Sequence, residues 1–308
     1  MLRFVIFGYH ATTRQCCQIL LDKGCRLLHC HPRTRKINRI KNSAIAYLSF
    51  DAVTDPDLVA AIAEFKPDYI LSIICAEKIP ADIVRLCRHY AMNIHPAPLP
   101  RCRTANAWFW PLRLGYTESA ITIHLLADTY DTGDIVYERR FPIAPTDNQK
   151  VYALKVMQEI RPAVEKLFDL IRDDQINPVP QSGNWNYYGK LRVRDVCIDW
   201  DNSIENIYNL IRACNPNHPA VTHYKDHLLE IFEALPTEHT PSRPGELSVY
   251  PGRLYCSCRD GVLELTVFQF KGILSAGRLI ERLAPKTGET FTASAQVASI
   301  QKILNRYL

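Results

Sequence analysis

The chain is expected to adopt an α/β fold: a Rossmann-like, doubly wound parallel sheet, followed by a smaller β-rich, OB-like barrel domain. Three observations lead there. Apolar, β-favouring runs alternate with segments of helical spacing up to about residue 95; the alternation stops after residue 150; short β-like runs parted by turns fill the last third. Strand–helix alternation implies right-handed crossovers and a parallel sheet covered on both faces.

Leu2–Phe7 is an apolar run closed by Gly8, and Thr13–Lys23 spaces Cys16, Ile19 and Leu20 as a helix that stops at Gly24. Arg26–Cys30 and Ala44–Leu48 read as the next two strands. Asp55-Pro56 marks the start of a helix over Pro56–Glu64, because proline suits a first helical position. Tyr69–Cys75 is a further strand, Ala81–Arg88 a helix and Ala91–His95 another strand. Val151–Arg172 carries Leu154, Ile160, Leu167 and Leu170 at helical spacing, with an interruption expected near Pro162. Asn177–Tyr188, rich in Pro, Asn and Gly, reads as a linker, and Ser203–Cys214 as a helix. Ala220–Tyr224, Leu228–Ala234, Gly252–Cys258 and Val262–Phe270 are the short β-like runs, with a turn at Arg259-Asp260-Gly261. The expected division is 1–180 for the sheet domain, 181–200 for the linker and 201–308 for the C-terminal domain.

Size and composition agree with two soluble domains: 308 residues, 47% hydrophobic and 22% charged. No apolar run reaches the ~18 residues of a membrane span. The N-terminus has no signal-peptide pattern, so no membrane association and a cytoplasmic location are expected. The eleven cysteines are odd in number and many lie in apolar segments, as free thiols in a reducing compartment would. His29-Cys30-His31 and Cys256-Ser257-Cys258 lack the paired spacing of a zinc site, so no metal is expected. The net charge of +5 is mild. Basic residues gather at Arg33, Arg35, Lys36, Arg39 and Lys41, a patch that could meet a phosphate, a nucleotide or RNA, or be a solvated loop. The first turn, Phe7-Gly8-Tyr9-His10, holds one glycine where a dinucleotide fingerprint needs three, so the sheet is a scaffold and not a nicotinamide site.

The chemistry lies between residues 93 and 134. Asn93, His95 and Asp131 each occur where an apolar run gives way to Pro or Gly. An amide donor, an imidazole and a carboxylate can stabilise an oxyanion, move a proton and orient the base. His124 could support them from its strand or be a half-buried strand histidine.

Asn93-Ile-His95-Pro96-Ala-Pro-Leu99-Pro100, followed by Ile121-Thr122-Ile123-His124 and Asp131-Thr132-Gly133-Asp134, resembles the 10-formyltetrahydrofolate-dependent formyltransferase family. That family includes amino-sugar N-formyltransferases and methionyl-tRNA formyltransferase. Ile198-Asp199-Trp200 and Ile211–Pro216 resemble segments that open its C-terminal domain. The resemblance implies a catalytic triplet of Asn93, His95 and Asp131, with 10-formyltetrahydrofolate as cosubstrate and no metal. It also implies a pterin pocket of backbone and apolar groups along Ile74, Cys75, Lys78, Ile79, Ala127, Asp128 and Asp131.

His10, Arg101, Arg103, Thr104 and Trp108 stand where an acceptor would be chosen. The Arg-Gly turn that many relatives carry after Leu-Pro is here Arg101-Cys102-Arg103-Thr104, followed by an unusually aromatic stretch ending in Trp108-Phe109-Trp110. Trp108 or Trp110 could stack on a sugar or base, or pack into a core. The basic segment is short and glycine-free, and the opening turn resembles the sugar enzymes. The acceptor expected is therefore a small primary amine, foremost a nucleotide-linked amino sugar, with methionyl-tRNA as the alternative. A hydrolase of the same folate, or a binding module without chemistry, is the remaining alternative. A homodimer is compatible with all of these.

Overall fold

The computed structural model describes residues 1–225, 227–270, 273–275 and 285–292. In chain order the elements are β1 (Arg3–Phe7), α1 (Ala11–Asp22), β2 (Arg26–Pro32), β3 (Ile45–Phe50), α2 (Pro56–Phe65), β4 (Tyr69–Ile73), α3 (Ala81–Val84), β5 (Tyr90–His95), β6 (Arg103–Thr104), α4 (Trp110–Arg113), β7 (Glu118–Leu125), β8 (Ile135–Pro142) and α5 (Gln149–Arg172). There follow β9 (Tyr187–Tyr188), a 3-10 turn at Val193–Asp195, α6 (Ile204–Cys214), β10 (Ala220–Tyr224), β11 (His227–Thr237), β12 (Leu247–Tyr250), β13 (Arg253–Ser257), β14 (Val262–Phe270), β15 (Ile273–Ser275) and β16 (Phe291–Thr292).

The chain divides into two compact units, and they are not continuous stretches. The first is Met1–Ala107, Glu118–Pro142 and Leu154–Tyr188; the second is Trp108–Thr117, Ile143–Ala153 and Gly189–Leu308. A contiguous cut at 180 and 200 therefore misses two borrowed segments. Arg212 on α6 explains one of them. Its guanidinium donates to the carbonyl oxygens of Ala144 (3.3 Å) and Asp147 (3.1 Å), while Nε donates to Asn209 (2.8 Å). A buried guanidinium keeps such partners, because leaving them unpaired costs more than the bonds return. Gly115 explains the other, since it lies so close to Asn209 that a Cβ there would sit 2.7 Å from the amide nitrogen.

The first unit is built on a seven-stranded sheet in the order β3-β2-β1-β4-β5-β7-β8. Parallel pairing, as expected, joins β3 through β5. Beyond β5 the sheet is mixed: β5 meets β7 antiparallel, and β8 runs antiparallel to β7 as an edge strand. The buried faces of β1, β2 and β4 explain their apolar sequences; Val5, Phe7, Leu28, Phe50, Ile62 and Ile70 join in one core. α1 ends in a Schellman motif, with Gly24 at φ +76 and bonds Gly24 N–H to Leu21 O (2.9 Å) and Cys25 N–H to Leu20 O (3.0 Å). α2 starts where Asp55 accepts from the Asp57 amide (3.0 Å), with Pro56 behind it.

Two expectations are corrected. The helix expected over Ala81–Arg88 stops at Val84, because the Arg88 and His89 amides turn to the carbonyls of Pro67 and Asp68 (both 3.0 Å). α5 runs unbroken through Pro162.

In the second unit the strands β12-β13-β14-β11-β10-β16 form an antiparallel sheet. A bridge between Glu246 and Thr290 ties the segment before β12 to that before β16, which curls the sheet towards the barrel expected. Trp200 packs near Phe291 (5.6 Å between rings) and donates to the Thr222 hydroxyl (2.9 Å). α6 is capped by Ser203, and Asp260 accepts from the Ile204 amide (2.7 Å).

His218, buried beside Phe109 (5.7 Å), carries a pH signature. Burial lowers its pKa to about 4 from the ordinary 6.5. The folded form thus resists a proton that the unfolded chain accepts first. Stability contributed by the neutral ring is complete above pH 6.5 and declines as pH falls from 6.5 towards 4. The melting temperature of the protein should drop across that window, and the drop should shrink in His218→Leu; an equal drop in both proteins would contradict this origin.

Candidate functional site

Register explains why three of the site residues meet. Asn93 and His95 are two apart on β5, so both side chains leave the same face. On the antiparallel neighbour β7, His124 lies directly opposite Asn93 and Thr122 opposite His95. Cross-strand partners share a face. Asn93, His95 and His124 are thereby aimed at one spot, and the loop after β7 brings Asp131 to it.

The carboxylate of Asp131 stands 3.6 Å from His95 Nδ1 and 3.6 Å from His124 Nε2. All three side chains are buried. The hydrogen-bond partners fix the ring chemistry. His95 Nε2 lies 3.0 Å from the carbonyl oxygen of Cys102, which can only accept, so Nε2 carries a proton. Nδ1 is then the nitrogen facing Asp131. At 3.6 Å it is coupled to the carboxylate electrostatically and stays available to a reacting group. His124 is the reverse case: Nδ1 donates to Leu125 O (2.8 Å), and Nε2 accepts from the Asn93 amide (3.1 Å). That bond orients Asn93 and leaves its second N–H for another acceptor.

Asp131 itself is held below the ordinary carboxylate pKa. Burial pushes it up, and the imidazoles of His95 and His124, with a hydrogen bond from the Thr104 backbone, more than offset that. Its backbone is left-handed, at φ +57. For a residue other than glycine this conformation costs about 1–2 kcal/mol and persists only where the surroundings impose it. Gly133 supplies part of the constraint, since a Cβ there would sit 1.9 Å from the Leu125 carbonyl oxygen.

A cleft opens beside the triad, lined by Asn93, His124 and Asp131 with Cys75, Lys78, Ile79 and Ala127. It adjoins a second hollow that shares Lys78, Ile79 and Ala127 and adds Asp128. Ile74, at the mouth of β4, is also left-handed (φ +50), which ends the strand and turns the 75–79 segment along the cleft. The expected cofactor residues therefore gather here: Cys75, Lys78, Ile79, Ala127, Asp128 and Asp131 as lining, Ile74 as the turn behind them. Burial pushes the Cys75 thiol up, so it is no thiolate nucleophile.

The residues expected to meet an acceptor are more scattered. His10 caps α1 without a side-chain hydrogen bond and lies 4.6 Å from the Tyr9 ring, which Arg35 covers from 5.0 Å. Glu77, a cleft residue, acts electrostatically on both Tyr9 and His10. Arg35 of the basic segment and Glu77 of the cleft thus act on the same two rings. Arg39 lies instead over Tyr47, and Arg33 pairs with Asp51 on the surface. Arg101 is exposed in the turn before β6, and Thr104 is buried with its hydroxyl accepting from the Asn106 amide (2.9 Å). Arg103 donates to Gln181 and covers the Trp185 ring (5.3 Å). Trp108 is half-buried in the second unit, where Phe109 is the fully buried member of the aromatic run.

One neighbour of the triad is not foreseen from the sequence: Gln181 falls in a stretch that reads as linker. Tyr130 and Glu77 lie within the two segments that the resemblance marks for the pterin, 127–131 and 73–79. Among the described residues, no cluster of three or more His, Cys, Asp or Glu is placed to hold a metal. No helix there is long and apolar enough to cross a membrane.

Comparison with known proteins adds two kinds of likeness. Residues 31–164 match the model of the formyl transferase domain, and residues 190–282 match that of the formyl transferase C-terminal domain. Among solved structures, the chain is similar to HypX from Aquifex aeolicus in complex with tetrahydrofolic acid, at 21% identity and a TM-score of 0.62, over 94% of this chain and 48% of that one. The chain thus spans about half the length of HypX. It is also similar to the N-formyltransferase from Helicobacter canadensis, in complex with folinic acid and dTDP-3-aminofucose, at 15% identity and a TM-score of 0.67, covering 86% and 98% of the two chains. The sugar 3N-formyltransferase WlaRD, with dTDP and 5-N-formyl-THF, matches at 16% identity and a TM-score of 0.68, covering 89% and 99%. Identities this low show a shared fold.

Replacing Gly133 with Ala should force the Asp131 turn away from the Leu125 carbonyl and cost on the order of 1–3 kcal/mol, as overpacking does. Denaturant titration measures it; a Gly133→Ala protein as stable as the parent would show that the turn is loosely held.

Proposed function

Because the chain belongs to the formyltransferase family, matching the models of both its domains, we propose that it moves a formyl group from 10-formyltetrahydrofolate to a primary amine, foremost on a nucleotide-linked amino sugar. The observation that carries this reading is the meeting of Asn93 and Asp131 on one wall of the cleft, with His95 3.6 Å from that carboxylate and His124 fixing the amide.

The cleft suits a flat pterin. Ile79 and Leu126 offer apolar sides, and the 74–79 and 127–131 segments offer backbone donors and acceptors at its edges. The folate supplies a formyl carbon activated for attack by an amine. When the amine nitrogen bonds to that carbon, its carbonyl oxygen gains negative charge. The free N–H of Asn93, held still by His124, donates to that oxygen at no reorganisation cost. His95 Nδ1 is the ring nitrogen that can give or take a proton there, and Asp131 stabilises the charge that the ring acquires. With its pKa below the ordinary value, Asp131 remains ionised through the neutral range. The attacking nitrogen loses one proton through a water to Asp131, the bond between the formyl carbon and folate N10 breaks as the carbonyl re-forms, and N10 takes a proton from His95, leaving the formamide and tetrahydrofolate.

The nucleotide-sugar preference draws on two supports: the relatives crystallised with dTDP or a dTDP-sugar, and the shortness of the basic segment. A panel of dTDP-amino sugars and methionyl-tRNA, offered with 10-formyltetrahydrofolate, tests the acceptor. Formylation of an amino sugar with weak dependence on salt is expected. Formylation of the tRNA alone, falling steeply with salt, would replace that acceptor by one held through phosphate contacts. On the accepted substrate, Asn93→Ala should lower kcat by ~100- to 1,000-fold, the usual loss for an oxyanion donor. Near-normal turnover in Asn93→Ala would refute the assigned role.

A further inference from the structure

The left-handed turn at Asp131 is braced from the side opposite β7 by a residue outside the triad. The side-chain amide of Gln181 donates both of its N–H bonds to this turn, one to the carbonyl of Asp131 (2.9 Å) and one to the carbonyl of Gly133 (2.8 Å). Its oxygen accepts from Arg103 Nε (3.2 Å) and Nη2 (2.7 Å). An amide can be turned end for end, but here the partners decide. Guanidinium N–H groups face only an oxygen, so the NH₂ end must point at the two carbonyls. The amide is satisfied on both sides and cannot flip without setting donors against donors.

Arg103 is placed for this by β6, which pairs with β9. The Arg103 amide donates to Asn186 O (3.2 Å), and the guanidinium lies on the Trp185 ring. The next residue on β6, Thr104, provides the backbone hydrogen bond to the Asp131 carboxylate. One short strand therefore fixes the carboxylate directly and its backbone through Gln181. Gly133 against Leu125, and the Leu125 amide on Asp134 O (2.9 Å), hold the turn from the other side.

We propose that Gln181 is a positioning residue for the formyl-transfer site: locked in orientation by Arg103, it clamps the Asp131–Gly133 carbonyls and so holds the Asp131 carboxylate between His95 and His124. The inference rests on the catalytic part assigned to Asp131 above.

Gln181→Glu separates clamping from mere packing. A glutamate keeps the size and strengthens the pairing with Arg103, yet it sets a carboxylate against two carbonyl oxygens and has no donor for either. Gln181→Ala removes both contacts. The acceptor-free readout is the titration of the Asp131 carboxyl, followed by ¹³C NMR in the whole protein. The groups facing Asp131 are the His95 and His124 rings and the Thr104 amide, with Cys102 and Tyr130 close enough to act on it or be acted on.

In the parent the midpoint should lie below the ordinary carboxylate value. In both variants it should rise, because the carboxylate drifts from the imidazoles while remaining partly buried. A midpoint unchanged in Gln181→Glu would overturn the clamp. Turnover of 10-formyltetrahydrofolate with dTDP-3-aminofucose as probe gives the second readout: kcat should fall ~10- to 100-fold in either variant, on the scale of losing an outer partner that orients a site, with the KM for folate little changed. Arg103→Met should depress kcat in the parent and add nothing in a Gln181→Ala background. A further loss there through the acceptor KM would assign Arg103 to substrate instead of to Gln181. Asp131→Asn tells the two levels apart. If it stays active while the titration behaves as described, the clamp stands and the catalytic role of Asp131 has failed; if it is inactive while Gln181→Glu matches the parent in kcat, the clamp alone has failed.

Discussion

A carboxylate taken out of water must be repaid by its neighbours, and Asp131 is the group around which this site is arranged. Removing an ionised carboxyl from solvent costs several kcal/mol unless charges and hydrogen bonds replace the lost hydration. The Thr104 amide donates to it, and the two imidazoles at 3.6 Å oppose its protonation when they carry positive charge; together they hold its pKa below the ordinary value. Each of those partners is itself tied down. His95 is held by Cys102, His124 by Leu125, and Thr104 by the pairing of β6 with β9. The left-handed backbone at Asp131 is the strain that this arrangement tolerates in order to point the carboxylate inward.

The sheet makes that arrangement possible by changing direction. From β3 to β5 it is parallel, and its strands deliver loops to one edge, where α/β folds gather ligand-binding residues. The antiparallel step from β5 to β7 then lays His124 against Asn93 on one face. Asn93, the proposed oxyanion donor, and His124 are thus direct cross-strand neighbours on β5 and β7. Only the carboxylate comes from a loop, and that loop is pinned on both sides. Tyr9, His10 and Arg35 form a cluster on which Glu77, a cleft residue, acts electrostatically.

Much of this is visible in the chain and some is not, for physical reasons. Strands buried on both faces are unbroken apolar runs, so β1, β4 and β5 announce themselves. Asn93 and His95, two apart at the end of such a run, are legible as a same-face pair. Strand direction leaves no mark on periodicity, so the antiparallel β7 and β8 could not be foreseen. β8 is a partly exposed edge strand whose Arg139 and Arg140 pair with Glu159 on α5 and Glu118 on β7, while Glu138 pairs with Arg140 on β8 itself, and its charges mask the pattern. His124 could be read two ways until its register with Asn93 was known. Gln181 sits among Pro, Asn and Gly, where composition speaks only of a linker. The borrowed segments of the second unit depend on Arg212 reaching residues more than sixty positions away, a long-range relation that local spacing does not carry.

The account turns on which nitrogen of His95 faces Asp131, and ¹⁵N NMR of the ring observes that directly. With Nε2 committed to the Cys102 carbonyl, the neutral ring should carry its proton on Nε2 and leave Nδ1 bare. A neutral ring protonated on Nδ1, with Nε2 bare, would contradict the arrangement on which the proposed proton transfer depends.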